Sequence, residues 1–96
     1  MSHYVAVVEE EEDKAVGVWF PDLPGCISAG DTLDEAMTNA AEALELWAEA
    51  MVESGQKIPP PRSLTELRKD PEVAEDLRRF MVALIPFPAD LQHAAE

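Results

Sequence analysis

The stretch that most constrains the fold of this chain runs from Gly17 to Leu44 and reads GVWFPDLPGCISAGDTLDEAMTNAAEAL. A β-like run ends at Phe20, because Pro21 lacks a backbone donor and disfavours helical geometry in the residue before it. Pro24 and Gly25 then combine a fixed φ with a residue that tolerates positive φ. The stretch therefore predicts a tight corner between two short strands.

The second half of the same stretch predicts where a long helix begins. Thr32 is followed three residues later by Glu35, which is the spacing of a capping box. In that motif the hydroxyl and the carboxylate each accept a hydrogen bond from an unpaired amide at the start of the helix. We expect a helix from about Leu33 to Ser54 that is ended by Gly55, a residue type common just after the last turn.

The two sides of this predicted helix differ in chemistry. Apolar residues recur at alternating spacings of four and three, which predicts a face that packs on a sheet. The apolar stripe consists of Leu33, Met37, Ala40, Leu44, Trp47 and Met51, widened by Ala36, Ala41 and Ala48. The polar side carries Asp34, Glu35, Glu42, Glu45, Glu49 and Glu53, and no Lys or Arg occurs between Lys14 and Lys57. This acidic side is interpreted either as a solvated face or as a docking surface.

Strand-like segments lie on both sides of the helix. Ser63 and Asp70-Pro71 mark the starts of two further short helices. The predicted strands are His3–Glu9, Ala15–Phe20, Cys26–Ala29 and Phe80–Phe87. The predicted class is α+β in the order β-β-β-α-β, with a three-stranded antiparallel sheet, a fourth strand and one long helix packed on the sheet. Residues 89–96 are expected to form a flexible tail.

Length and charge restrict the classes of partner. The 96 residues suffice for one small domain, and 20 Asp and Glu against 7 Lys and Arg give a net charge of -13. Nucleic acids are bound through Lys and Arg, so we expect no direct nucleic-acid binding and a basic partner instead. No apolar stretch is as long as a membrane span, and the start MSHYVAVVEEEE lacks the basic region of a secretory signal. The expected location is the cytoplasm, without membrane attachment.

Few residues offer catalytic chemistry. The single cysteine, Cys26, cannot form an intramolecular disulfide and is interpreted as a small apolar filler at the corner. The histidines, His3 and His93, stand near the two ends of the chain, and no Gly-rich phosphate loop is present. We expect no catalytic residue, no metal and no cofactor.

The corner and the helix start together resemble the N-terminal domain of the HicB family of antitoxins. The likeness continues through Gly55 and the segment IPPPRSL. It is carried by Asp22, Leu23, Pro24 and Gly25, which stand at the family's distance before Thr32, Glu35 and Ala36. The resemblance implies a HicB-like domain over residues 1–88 with a reduced ribonuclease H-like fold, its last strand parallel to its first. Because only eight residues of this sequence follow Pro88, we expect no DNA-binding module in it.

The resemblance also implies a function, which is to neutralise a small basic HicA-like ribonuclease toxin by covering its active and RNA-binding face. Either the acidic helix face or the corner is expected to be the interface. For the corner, a structural role is also open, in which Asp22 caps local amides and Leu23 folds under the helix. The residues predicted to bind the partner are Trp19, Phe20, Asp22, Leu23, Pro24, Gly25, Glu42, Glu45 and Glu49.

Two other functions stay open at this point. One is a stand-alone homo-oligomeric interaction module, which would have no gene for a small basic toxin beside its own. The other is a vestigial ribonuclease H-like protein associated with nucleic acid, although the first and fourth predicted strands lack central carboxylates for a metal. A homodimer or a dimer of dimers is expected, because both faces of the fourth strand are apolar. Either a second protomer or the short helices would then cover the face that the long helix leaves free.

Overall fold

The computed structural model describes residues 3–91. It confirms the α+β class and the predicted order of elements, with two short helices before the last strand. The elements are β1 (His3–Glu9), β2 (Val16–Trp19), β3 (Ile27–Gly30), α1 (Leu33–Glu53), α2 (Leu64–Arg68), α3 (Pro71–Arg79) and β4 (Met81–Pro86).

The four strands form one sheet in the order β3-β2-β1-β4, and every neighbouring pair is antiparallel. The expectation that the last strand runs parallel to the first is therefore wrong for this chain: β4 pairs antiparallel with β1, with Ile85 opposite Tyr4. A single crossover helix would return the chain parallel to the first strand. Here the segment with α2 and α3 turns the chain once more before β4 begins.

The helix starts follow the predicted local chemistry, with one difference. At α2, Ser63 and Glu66 form a complete capping box, and at α3 the Asp70 side chain accepts the Glu72 amide. At α1 the Thr32 hydroxyl accepts the Glu35 amide as predicted, but the Glu35 carboxylate accepts a hydrogen bond from the amide of Asp31 rather than that of Thr32.

One face of the sheet is covered by α1 through small side chains. The centre of the contact is a row spaced by four residues, Ala36, Ala40, Leu44 and Ala48, all fully buried. Ala41, predicted to widen the stripe, is exposed, whereas Ala43 packs against the core. The physical reason is the position of the corner, which contacts Trp47 on one flank of α1. Ala43 lies one turn before Trp47 and is therefore on the same flank. Ala41 lies on the other flank.

A close approach at Gly30 holds the start of α1 against the sheet. A Cβ atom at Gly30 would lie 2.5 Å from the backbone nitrogen of Ala36. Only glycine therefore permits this distance between β3 and the first turn of α1.

The face of the sheet that points away from α1 is covered as well. Val5 and Val7 alternate with the residues that face α1, yet they are 5% and 0% exposed. On this side the rings of Trp19 and Phe80 meet edge to face, with centroids 5.5 Å apart. Leu67 of α2 is also buried, and it does not belong to the core cluster that packs under α1. We infer that the segment with α2 and α3 covers this face, so β1 needs no second protomer to be buried.

The described chain ends in a single 3₁₀ turn over residues 89–91, and Leu91 packs against the core under α1. The rest of the predicted flexible tail, residues 92–96, lies outside the described residues. None of the helices within residues 3–91 combines the length and the apolar character that crossing a membrane requires.

Candidate partner-binding surface

The predicted corner is present and consists of two successive turns. The amide of Leu23 donates to the carbonyl of Phe20 over 3.1 Å, and the amide of Cys26 donates to the carbonyl of Leu23 over 3.0 Å. Gly25 has a φ of +84°, which other residue types rarely adopt. Pro24 and Gly25 are exposed, and they form the tip of the corner.

Two of the residues predicted to bind a partner belong to the core instead of the surface. Phe20 is 3% exposed and Leu23 is 0% exposed, and both pack in the cluster under α1. The structural role expected for Leu23 is thus confirmed. Burial of these side chains fixes the corner to the sheet and leaves the tip as the part that a partner reaches.

In the structural interpretation of the corner, the expectation that Asp22 caps local amides is wrong. Its carboxylate binds Arg62, accepting the side-chain Nε–H over 2.6 Å and the backbone N–H over 2.7 Å. The Asp22 side chain is only 6% exposed. Arg62 also donates from Nη1 to Asp70 over 2.9 Å, and the hydrogen bonds to Asp22 and Asp70 raise the pKa of Arg62. Asp22 therefore anchors the corner to the segment that leads into α2.

Sequence reasoning did not single out Arg62. The signal in the sequence was only its place in the IPPPRSL segment, which is distant from the corner along the chain.

Trp19 lies apart from the other predicted residues. It stands on the face of the sheet that points away from α1, where it is half-buried and contacts Phe80. The structure therefore does not bring Trp19 together with the acidic side of α1.

The tip of the corner, which was one of the two alternative interfaces, packs against α1, the helix that carries the other. The indole nitrogen of Trp47 donates a hydrogen bond to the carbonyl oxygen of Pro24 over 3.3 Å. Trp47 belongs to the apolar side of α1. Glu42, Glu45 and Glu49 lie two or five residues from it, spacings that place side chains on different sides of a helix. The structure therefore attaches the corner to α1 without placing its tip among the carboxylates.

An exposed leucine lies among the carboxylates of α1. Leu46 is 66% exposed, and it follows Glu42 by four residues and precedes Glu49 by three, so the three side chains are neighbours on the helix surface. Glu45 and Glu53 are exposed beside them, and within residues 3–91 no ion pair involves any of these four glutamates. We call the following set the corner–helix surface: Pro24, Gly25, Glu42, Glu45, Leu46, Glu49 and Glu53.

Leu46 was also missed by sequence reasoning. A leucine off the apolar stripe was the available signal, since such a residue points away from the sheet.

Cys26 behaves as the predicted filler. It is 2% exposed, and burial raises the pKa of its thiol to about 11. The thiol is therefore protonated at neutral pH and a poor nucleophile. In the part of the chain that the structure describes, no three His, Cys, Asp or Glu residues are grouped so that they could hold a metal ion.

Comparison with known proteins gives a consistent result over almost the whole chain. A family model described as a HicB-like antitoxin of bacterial toxin-antitoxin systems matches residues 4–94. An uncharacterized 14.9 kDa protein of Haemophilus phage HP1, from the rep-hol intergenic region, is 38% identical over 90 residues. That match covers 94% of this chain, which spans 62% of the length of the phage protein.

Two solved structures share the fold. The crystal structure of the Burkholderia pseudomallei antitoxin HicB superposes with a TM-score of 0.75 at 28% identity, covering 95% of this chain and 67% of that chain. A chain of the HicA3 and HicB3 toxin-antitoxin complex superposes with a TM-score of 0.69 at 25% identity, covering 90% of this chain and 98% of that chain.

Proposed function

This chain belongs to the HicB-like antitoxin family of bacterial toxin-antitoxin systems, and we propose that it neutralises a small, basic, RNA-cleaving toxin of the HicA type. Neutralisation takes place by covering the active and RNA-binding face of the toxin. The similarity to a chain of a HicA3 and HicB3 complex supports a toxin of this type as the partner.

The observation that carries the proposal is the corner–helix surface. It presents four carboxylates without an ion pair in the described chain, around an exposed leucine, on the helix to which the Pro24-Gly25 tip is hydrogen-bonded. A face that binds RNA is rich in Lys and Arg, so carboxylates on a protein are suited to occupy the positions of RNA phosphates. Leu46 provides an apolar contact at the centre, where interfaces usually concentrate their binding energy.

The nine residues predicted to bind the partner have different parts in this proposal. Glu42, Glu45 and Glu49 contact the toxin together with the tip of the corner. Phe20, Asp22 and Leu23 do not contact the toxin in this proposal but hold the tip in place. Phe20 and Leu23 do so by packing in the core, and Asp22 does so by binding Arg62. Trp19, on the other face of the sheet, is not part of the corner–helix surface and is proposed only as a separate contact.

The remaining expectations belong to the same proposal. The chain acts by binding alone, without catalysis or cofactor, in the cytoplasm. It self-associates as a homodimer or a dimer of dimers.

The test is a binding measurement between this chain and a HicA-like toxin encoded beside it, with two variants that change charge equally. The first variant carries Glu42→Lys and Glu49→Lys on the corner–helix surface. The control carries Glu10→Lys and Glu12→Lys in the exposed β1–β2 turn. The first variant is expected to weaken binding by about tenfold or more, and the control by no more than about threefold, since distant charges act only through long-range attraction.

The outcomes separate the surface from the function. Equal losses in both variants would mean that overall charge, and not this surface, determines binding. No loss in either would exclude the corner–helix surface. Failure of the unmodified chain to bind the toxin or to rescue growth of cells expressing it would overturn the proposed function itself.

A further inference from the structure

β4 is an edge strand of the sheet, and within residues 3–91 no strand pairs with its outer side. β4 is paired with β1 along one side, in a continuous register from Val8 opposite Met81 to His3 opposite Pro86. An edge strand presents unpaired backbone donors and acceptors, which proteins commonly protect with charged side chains, bulges or short strands. Between Met81 and Ile85 the strand has no charged side chain and no bulge.

The opposite edge, formed by β3, is protected. β3 has four residues, against six in β4. The side chain of Asn39 in α1 donates a hydrogen bond to the carbonyl of Ala29 over 2.8 Å, so part of the backbone of β3 already has a partner. Pairing with another strand is therefore favoured at β4.

The β4 edge exposes apolar side chains on both faces of the sheet. Leu84 lies opposite Val5 on one face and is 60% exposed, and Met81 lies opposite Val8 on the other face and is 43% exposed. Residues 80–89 form the longest stretch of the chain without an ionisable side chain, in a protein with a net charge of -13. Two acidic copies therefore approach each other here with the least repulsion.

We propose that β4 pairs antiparallel with β4 of a second copy, so that two four-stranded sheets become one continuous sheet. In a two-fold pairing the start of each strand lies beside the end of the other. The exposed basic residues before β4, Arg78 and Arg79, then approach Asp90 of the other copy, and the same contact occurs at both ends. This charge complementarity favours a second copy as the occupant of the edge. The inference specifies the surface for the proposed self-association and does not depend on toxin binding.

The experiment is sedimentation of the full chain and of three variants that each place a lysine at an exposed apolar position. Leu84→Lys lies on the β4 edge, Ile27→Lys on the β3 edge and Leu46→Lys on α1, where the wild-type side chains are 60%, 70% and 66% exposed. The unmodified chain and the last two variants are expected to be dimeric at concentrations on the order of tens of micromolar, where weak interfaces are populated. Leu84→Lys is expected to weaken dimerisation by about tenfold or more, because charge on an edge strand opposes pairing.

Cross-linking gives a second measurement that does not depend on the fold of Leu84→Lys. In a Cys26→Ala background, a short bifunctional maleimide is expected to link chains that carry Leu84→Cys and to leave chains that carry Ile27→Cys unlinked. The proposal would be overturned if the unmodified chain were monomeric, or if Leu84→Lys left the dimer intact. It would also be overturned if the maleimide linked chains through Ile27→Cys in place of Leu84→Cys. Leu84→Lys is expected to bind the toxin normally. A chain that dimerises through β4 but binds no toxin would count against the proposed function alone.

Discussion

The carboxylate of Asp22 lies 2.6 Å from Nε of Arg62, a residue 40 positions further along the chain. Asp22 is in the corner that follows β2, and Arg62 is in the segment before α2. Because Arg62 also binds Asp70 at the start of α3, one guanidinium connects the corner after β2 to the start of that helix. The position of the corner thus depends on a residue that lies outside the corner–helix surface.

The first prediction follows from this connection. Arg62→Met should destabilise the fold by about 1–3 kcal/mol, since it leaves a buried carboxylate with fewer partners while the backbone N–H still binds Asp22. Urea denaturation measures the change. The control is Arg68→Met, an exposed arginine without an ion pair within the described residues, for which a change within about 0.5 kcal/mol is expected. Equal stability of both variants would show that the Asp22–Arg62 pair contributes nothing.

The second prediction concerns the contact between β3 and α1. Gly30→Ala should destabilise the fold by about 1–3 kcal/mol or more, because the new Cβ would lie 2.5 Å from the backbone of Ala36 and a backbone cannot yield as a side chain does. Gly17→Ala is the matched control, as a Cβ there meets nothing within 4 Å. Thermal unfolding compares the two. If Gly17→Ala proved as damaging as Gly30→Ala, the close approach would not be the cause.

The third prediction uses the only tyrosine in the chain. Burial, followed by the negative charge of Asp22, raises the pKa of Tyr4 from 10.0 to about 12. The folded state therefore holds the Tyr4 proton more tightly than the unfolded state does. The contribution of the protonated Tyr4 to the free energy of unfolding is complete below pH 10 and is lost as the pH rises toward 12. Tyrosinate absorbance at 295 nm should show a midpoint near 12 in the native protein and near 10 in denaturant.

A midpoint near 10 in the native protein would contradict the burial of the Tyr4 hydroxyl, which donates to the carbonyl of Pro59. Tyr4→Phe should abolish the absorbance change. This control assigns the signal to Tyr4.

The fourth prediction concerns the rate of toxin binding. Carboxylates on the corner–helix surface should attract a basic toxin before contact, so the association rate should fall as salt shortens the Debye length from about 10 Å at 0.1 M to about 3 Å at 1 M. Stopped-flow fluorescence measures this rate. The Glu42→Lys and Glu49→Lys variant should show a shallower dependence on salt than the control in the β1–β2 turn. An association rate that is constant over this range would exclude electrostatic attraction.

Local chemistry made much of the fold predictable. The starts of α1, α2 and α3 were predicted within one residue, because capping depends on side chains within a few positions of each other. The corner was predicted for the same reason, since proline and glycine restrict the backbone where they stand. Burial of Leu23 and Cys26 also agreed with their apolar character.

The site was less predictable, because its arrangement depends on contacts between distant residues. Asp22 was interpreted either as a cap for local amides or as part of an interface, and nothing within the corner indicated that its partner would be Arg62. Nor did the spacing along α1 indicate that Trp47 would bind Pro24 and so attach the corner to the helix.

By itself the sequence determined the elements, their limits, the acidic side of α1 and the family, since these depend on local chemistry and on motif spacing. Only the tertiary structure decided that β4 runs antiparallel to β1, that Phe20 is buried and that the corner meets α1. The physical reason is that packing and long-range pairing are determined by the free energy of the whole chain, in which residues 23 to 55 positions apart contact each other.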